Sequence, residues 1–294
     1  MLAAAAMVAF AANSLLSRAA LRGDEIDAAS FTAVRLATGA AVVALIVLGR
    51  RGTFRGAGSW GSSAALAAYA VAFTFAYREL GAGTGALILF GTVQLTMIIG
   101  GLLAGDRPSA AQWLGWSIAL AGLIVITAPG LDPPPARGAL LMLVAGVAWG
   151  GYSLRGRGVA RPLATTADNF VRTVPVALVL VGVALATGGH ASPLGIALAA
   201  ASGGVASGLG YSLWYAVVPA LGAPRAAALQ LSVPVLTAVS AMLLFGEVLR
   251  PTTAIGGAAI ICGLALALRA TPAETPGTRT GLDSPSSRAR SGTS

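Results

Sequence analysis

The chain has 294 residues, 56% hydrophobic and only 10% charged, with a mean hydropathy of +0.81. A soluble domain covers its surface with roughly a quarter of charged residues, so this composition excludes an ordinary soluble fold. A single cysteine, Cys262, and a single histidine, His190, exclude an internal disulfide and a His/Cys zinc site, and nothing in the composition implies a cofactor.

A helix needs about 20 apolar residues to cross ~30 Å of hydrocarbon. Apolar runs of that order follow one another at 2–20, 29–48, 60–77, 84–103, 110–128, 138–154, 164–186, 194–217, 223–245 and 252–268. The expected fold class is therefore an all-α integral membrane protein of about ten transmembrane helices. The first run has no basic stretch before it and no convincing cleavage site in Ser17-Arg18-Ala19-Ala20, so it reads as a retained helix. The proline-rich segment 129–137 reads as a stiff connector between a first unit, 1–128, and a second, 138–269. Residues 270–294, rich in Pro, Ser, Thr, Gly and Arg, are expected to form a disordered cytoplasmic tail.

Every basic residue is arginine, and the formal charge is +9. In a soluble protein this would point to nucleic acid, but here the arginines fall in short loops. With the N-terminus inside, twelve lie on the cytoplasmic side and five opposite, so the bias puts both termini in the cytoplasm of a plasma-membrane protein. Nucleic acid is not an expected partner; the lipid bilayer and a small-molecule substrate are.

The halves match each other. Phe10-Ala11-Ala12-Asn13-Ser14-Leu15 parallels Trp149-Gly150-Gly151-Tyr152-Ser153-Leu154 at an offset of 139, which Phe31 and Phe170 share. At an offset of 141, Leu80-Gly81-Ala82 parallels Leu221-Gly222-Ala223, Thr96 meets Thr237, Gly105-Asp106 meets Gly246-Glu247, Gly115 meets Gly256, and Gly122 meets Gly263. Five helices is an odd number, so the second five-helix repeat is expected to be inverted relative to the first, the architecture of alternating access with a site near the midplane.

The chain resembles the EamA-like members of the drug/metabolite transporter superfamily. The resemblance rests on Ser30-Phe31-Thr32-Ala33-Val34-Arg35, Leu80-Gly81-Ala82, Ala104-Gly105-Asp106-Arg107-Pro108 with Gly115 and Gly122, and Val233-Pro234-Val235 with Phe245-Gly246-Glu247, Gly256 and Gly263. It covers about residues 1–268. The chain departs from the family pattern at Asp106, where glutamate is usual, and Arg172 does not align with Arg35, whose repeat counterpart is Val174. The resemblance implies a ten-helix secondary transporter, often an exporter of amino acids, related metabolites or toxic compounds.

Charged and polar groups within hydrocarbon are costly and mark candidate sites. Arg35, about seven residues into its run, either attracts a substrate carboxylate or snorkels outward to carbonyls and headgroups. Arg172 is expected to pair with Asp168 at i,i+4. Phe10, Asn13 and Ser17 share one face of the first helix, and Trp149, Tyr152 and Gly156 trace the equivalent face of the sixth. They read either as a cavity for a small amphipathic ligand or, for Asn13, as an interhelical bond. Tyr69, Phe73 and Tyr77 form an i, i+4, i+8 stripe, with Tyr211, Trp214 and Tyr215 continuing it in the second half; both read as packing or as cavity wall. Gln94 and Gln230 lie mid-run, Gln230 close to Pro234. Glu247 and Asp106 are expected to be solvated end caps or partners of Arg250 and Arg107. No carboxylate lies near the middle of a run, so a proton-carrying acid is not supported. The GxxxG pairs Gly101/Gly105, Gly146/Gly150 and Gly204/Gly208 mark close helix contacts within the chain or in a homodimer.

The expected function is export of small metabolites by alternating access, without enzymatic activity. The alternatives are a non-transporting membrane scaffold, an importer or nucleotide-sugar carrier, and an intramembrane enzyme. The last lacks both a placed base for a serine nucleophile and metal ligands.

Overall fold

The computed structural model of the protein describes residues 1–105, 108–127, 134–156, 158–221, 229–230 and 232–269. Asp106, Arg107, the prolines of the connector up to Pro133, Gly222 and Ala223, and the tail expected to be disordered lie outside the described residues, as does the side chain of Tyr215. Among the described residues all regular structure is helical, with one isolated antiparallel bridge between Ile26 and Ala191. The first half contributes α1 (Leu2–Arg22), α2 (Ala28–Gly49), α3 (Trp60–Tyr77), α4 (Ala82–Leu103) and α5 (Ala110–Thr127). The second contributes α6 (Ala136–Arg155), α7 (Pro162–Val171), α8 (Val174–Ala186), α9 (Pro193–Ala200), a π-helical turn (Ala201–Leu209), α10 (Gly210–Leu221), α11 (Ser232–Phe245) and α12 (Pro251–Arg269). Among the described residues seven helical stretches are long and apolar enough to cross a membrane, with Pro162–Ala186 and Pro193–Trp214 each counted as one. Ala110–Ile126 and Ser232–Phe245 are apolar but shorter. Leu45, Leu103, Leu185 and Leu243 point away from the bundle, 66% or more exposed, as side chains facing lipid tails do.

Local chemistry sets the helix ends. Asp27 caps α2 by accepting from the amides of Ala29 and Ser30 at 2.9 and 3.0 Å, and Ser59 caps α3 through the Ser62 amide. Ser109 and Gln112 exchange bonds as a capping box at the start of α5. Pro162, Pro193 and Pro251 each open a helix at a position where the missing N–H costs nothing.

Two of the expected continuous spans are not simple α-helices. The run 164–186 breaks at Arg172 and Thr173, because Pro175 has no N–H to bond the preceding turn and its ring clashes with the carbonyl four residues back. The run 194–217 passes through nine residues of π-helix, Ala201-Ser202-Gly203-Gly204-Val205-Ala206-Ser207-Gly208-Leu209. Here α2 comes so close that a Cβ on Gly203 would strike the Arg35 carbonyl and the Thr38 hydroxyl.

Helix pairing is extensive between α5 and α12, α3 and α6, α4 and α6, α2 and α7–α8, and α1 and α9–α10. Without a hydrophobic drive in lipid, close packing by small residues holds such pairs. Gly146 and Gly150 of α6 lie against Thr92 and Thr96 of α4, and Gly204 and Gly208 against Val42 of α2, so two of the three GxxxG pairs make contacts within the chain. On α5 and α12, Gly115 meets the Gly263 carbonyl and Gly122 the Gly256 carbonyl, an antiparallel crossing with backbone against backbone.

Polar straps tie neighbouring segments together at both ends of the bundle. At the end rich in arginine, the Gly58 amide donates to Asp168, the Ser59 amide to Asn169, and the Thr165 hydroxyl to the Ala57 carbonyl. Arg172 pairs with Asp168 at 3.1 Å, as expected. At the opposite end, the Asp27 amide donates to the His190 carbonyl and the Ser192 amide to the Glu25 carbonyl.

Candidate functional site

A cavity of about 800 Å³ lies among α1, α3, α4, α5, α6, α7, the π turn, α10 and α12. Its mouth is at the arginine-rich end, where the exposed Arg155 and Gly156 lie beside Gln112, Pro162, Thr165 and Leu268. Its lining reaches inward to Asn13, Tyr69 and Phe73, at or past the middle of α1 and α3. Phe10, Asn13, Tyr69, Phe73, Gln94, Trp149, Tyr152, Tyr211, Trp214 and Gln230 all line it, so one wall collects residues that the sequence marked on six separate runs.

The aromatic rings form a continuous wall. Ring centroids lie 6.0 Å apart from Trp214 to Phe10, 5.8 Å from Phe10 to Tyr211, 5.2 Å from Tyr211 to Trp149, 4.9 Å from Trp149 to Tyr69 and 5.2 Å from Tyr69 to Phe73. Trp149 also stacks on Tyr152 at 5.4 Å. Rings at these separations are mutually attractive as well as apolar, so the wall is both rigid and suited to the flat body of a small molecule.

A polar knot sits on that wall. Asn13 donates to the Tyr69 hydroxyl at 3.2 Å and accepts from Ser202 of the π turn at 2.6 Å. Asn13 thus lines the cavity and also bonds between helices. Arg35 donates to the same Tyr69 hydroxyl at 3.2 Å. The guanidinium does not snorkel outward. It is 3% exposed and lies over the rings of Phe73 and Tyr69, 4.6 and 5.3 Å from their centroids. Arg35 therefore stands behind the wall and not on it. Tyr77 is likewise fully buried behind the wall, edge-on to Phe73 at 4.7 Å.

The opposite end is shut. Arg18 bonds Glu247 at 3.0 Å and the Tyr77 carbonyl at 3.2 Å, joining α1 to α11 and α3. Glu247 also accepts from the Ala82 amide at 2.8 Å, at the N-terminus of α4, where the helix dipole favours a carboxylate. Arg22 reaches the Phe245 carbonyl. This corrects the expectation of a solvated Glu247 end cap: the side chains of Arg18 and Glu247 are only 15% and 16% exposed.

The model of the EamA-like transporter family matches residues 1–128 and again 136–269. The chain belongs to the EamA-like transporter family. The uncharacterized protein PA1977 of Pseudomonas aeruginosa is 48% identical over 266 residues, which is 90% of this chain and 92% of that protein. A solved crystal structure shares the fold at a TM-score of 0.58 and 20% identity, over 90% of this chain and 97% of that one. As an EamA-like transporter this is a multi-pass membrane protein of a transporter family, and the family is not one of enzymes.

The cavity of this EamA-like chain also includes residues that the sequence did not single out. Thr165, Thr166 and Asn169 line it from α7, Ser207 from the π turn, and Trp116 from α5. Thr166 and Asn169 lie within 3.4 and 3.5 Å of the Tyr152 hydroxyl. A signal was present for α7, since Thr165, Thr166 and Asn169 are polar groups inside an apolar run, the pattern that marked Asn13. Arg155 was legible only as one loop arginine among twelve on its side.

Proposed function

We propose that the chain is a secondary transporter that exports small amphipathic metabolites, amino acids or related compounds, across the cytoplasmic membrane by alternating access. The observation that carries this reading is a cavity that reaches mid-bundle from one end while the Arg18–Glu247 pair shuts the other. The arginine bias puts the mouth on the cytoplasmic side, so the conformation is the one that loads from the cytoplasm. Two inverted five-helix repeats, ten spans in all, complete the reading. The α5–α12 crossing supports the inversion: the repeat partner of Gly115 is Gly256 and that of Gly263 is Gly122, so the contact of Gly115 with Gly263 maps onto that of Gly256 with Gly122. Such a self-complementary contact is what a twofold axis generates.

The substrate pocket in this reading comprises Phe10, Asn13, Tyr69, Phe73, Gln94, Trp149, Tyr152, Tyr211, Trp214 and Gln230, with Arg35 and Tyr77 as its backing. The test is counterflow in liposomes of the purified protein, with a labelled panel of aromatic and aliphatic amino acids and their deaminated counterparts. Uptake above empty liposomes, lost in Asn13→Ala and Trp149→Ala variants that remain folded, is the expected result. Absence of counterflow for every solute would favour a non-transporting scaffold, which has no need of either side chain.

A further inference from the structure

The cavity has a definite sign of charge. Among the described residues no Asp or Glu lines it, and the one charged side chain on its surface is Arg155 at the mouth. Asp168, next to the lining residue Asn169, is engaged by Arg172 and the Gly58 amide. Glu247 is held beyond the floor by Arg18 and Ala82.

Behind the wall stands the buried guanidinium of Arg35, a cation with N–H donors and no acceptor. Its Nη1 is buried without a hydrogen-bond partner, and among the described residues no carboxylate forms an ion pair with it. A fixed, unneutralised cation at span depth is costly unless something repays it.

Tyr69 carries that charge to the cavity surface. Its oxygen accepts from both Asn13 and Arg35, so both lone pairs are taken and only the hydroxyl hydrogen is left to offer. The polar focus of the cavity is thus a donor, strengthened by the guanidinium behind it. An aromatic wall can attract cations by itself. Here, however, Arg35 already covers Phe73 and Tyr69, and a second cation would meet a like charge across the same rings.

Building on the transport reading, we propose that the cavity selects apolar, ring-bearing carboxylates of net negative charge. The ring lies along Trp149, Tyr211 and Phe10, and the carboxylate accepts from the Tyr69 hydroxyl. A zwitterionic amino acid fits less well, because its ammonium finds no acidic partner, and an organic cation fits least.

Trp116, Trp149 and Trp214 line the cavity, so intrinsic fluorescence reports occupancy in detergent without any flux. Three ligands that share one ring and chain length are titrated: 3-phenylpropionate, phenylalanine and 2-phenylethylamine. The expected order of affinity is propionate, then phenylalanine, then amine, with at least tenfold between the first and last. Arg35→Gln should bring that ratio within about threefold. Tyr69→Phe, which keeps the ring, should weaken the propionate severalfold and leave the amine unchanged, and it serves alone if Arg35→Gln does not fold. Equal or tighter binding of the amine, an unchanged ratio in Tyr69→Phe, or no quenching by any of the three would overturn the assignment. Counterflow of an unrelated solute would still support transport in that case, so the two failures are separable.

Discussion

The Arg18–Glu247 pair should decide which face of the protein is open. Glu247→Gln keeps the shape of the side chain and one acceptor for the Ala82 amide, and removes the charge opposite Arg18. Hydrogen bonds to charged groups contribute about 1.5–3 kcal/mol and neutral ones about 0.5–1.5 kcal/mol. Both side chains are about 15% exposed, so solvent screens the pair little. The loss is therefore about 1–1.5 kcal/mol. If the pair exists only in the conformation described, that loss moves the equilibrium about tenfold toward the conformation open at the opposite end. Arg18→Ala also deletes the bond to the Tyr77 carbonyl and leaves Glu247 short of its partner, at a cost of about 3 kcal/mol. A charge swap should recover little, because arginine in place of Glu247 would face the N-terminus of α4.

Ser17 is fully buried beside Arg18 and does not line the cavity. In a Cys262→Ala background, Ser17→Cys should react slowly with a membrane-impermeant maleimide applied to intact cells. The rate should rise about tenfold with Glu247→Gln, in line with the population shift above, and further with Arg18→Ala. Identical rates in all three, with monodisperse protein, would mean that the pair is a static strut and that the barrier lies elsewhere.

Two further outcomes follow from the packing and the caps. Gly122→Ala and Gly256→Ala place a methyl 2.5 and 2.6 Å from a facing carbonyl oxygen, and each should cost about 1–3 kcal/mol in thermal unfolding; Gly182→Ala, with no atom within 4 Å, should not. Burial pulls the Asp27 carboxyl up, but hydrogen bonds from Ser30 and Ala29 and the nearby His190 outweigh it and hold it below the usual carboxylate range. A depressed carboxylate stabilises the fold above its unfolded value, about 3.9, and that contribution is lost as pH falls through its folded value; Asp27→Asn should lower stability at neutral pH, flatten the acid limb below about pH 4, and converge with the parent protein in acid.

Hydropathy located the helices well because a bilayer imposes one length on every span. The run 60–77 coincides with α3, and 110–128 ends one residue beyond α5. It could not show the break at Arg172 or the π turn, since both preserve apolar character while changing hydrogen-bond register. The aromatic wall was legible because Phe10 and Trp149 match between the halves, and Tyr69 with Phe73 and Tyr211 with Trp214 recur at helical spacing. Its backing was not. Whether Arg35 snorkels or turns inward depends on what stands across from it, and Tyr69 is 34 residues away in sequence. Glu247 shows the same limit: adjacency suggests Arg250, and the fold also brings Arg18 to it from 229 residues away.

The two ends of the bundle are unequal in a way that a twofold axis makes informative. On the proposed symmetry, α1 corresponds to α6, and the loop between α1 and α2 to the loop between α6 and α7. The straps follow it: the α1–α2 loop is tied to 187–192 at one end, and Arg161 of the α6–α7 loop, with Thr165 and Asp168 of α7, is tied to 50–59 at the other. The α5–α12 crossing obeys it too. The end of α1 and the end of α6 do not: Arg18 pins α1 to α3 and α11, whereas Ser153, Arg155 and Gly156 of the α6 end line the mouth. Contacts that map onto themselves cannot favour either face, so the glycine crossing and the straps serve as the frame common to both conformations. The preference for one face must then reside in contacts that break the symmetry, and Arg18–Glu247 is the strongest of these among the described residues.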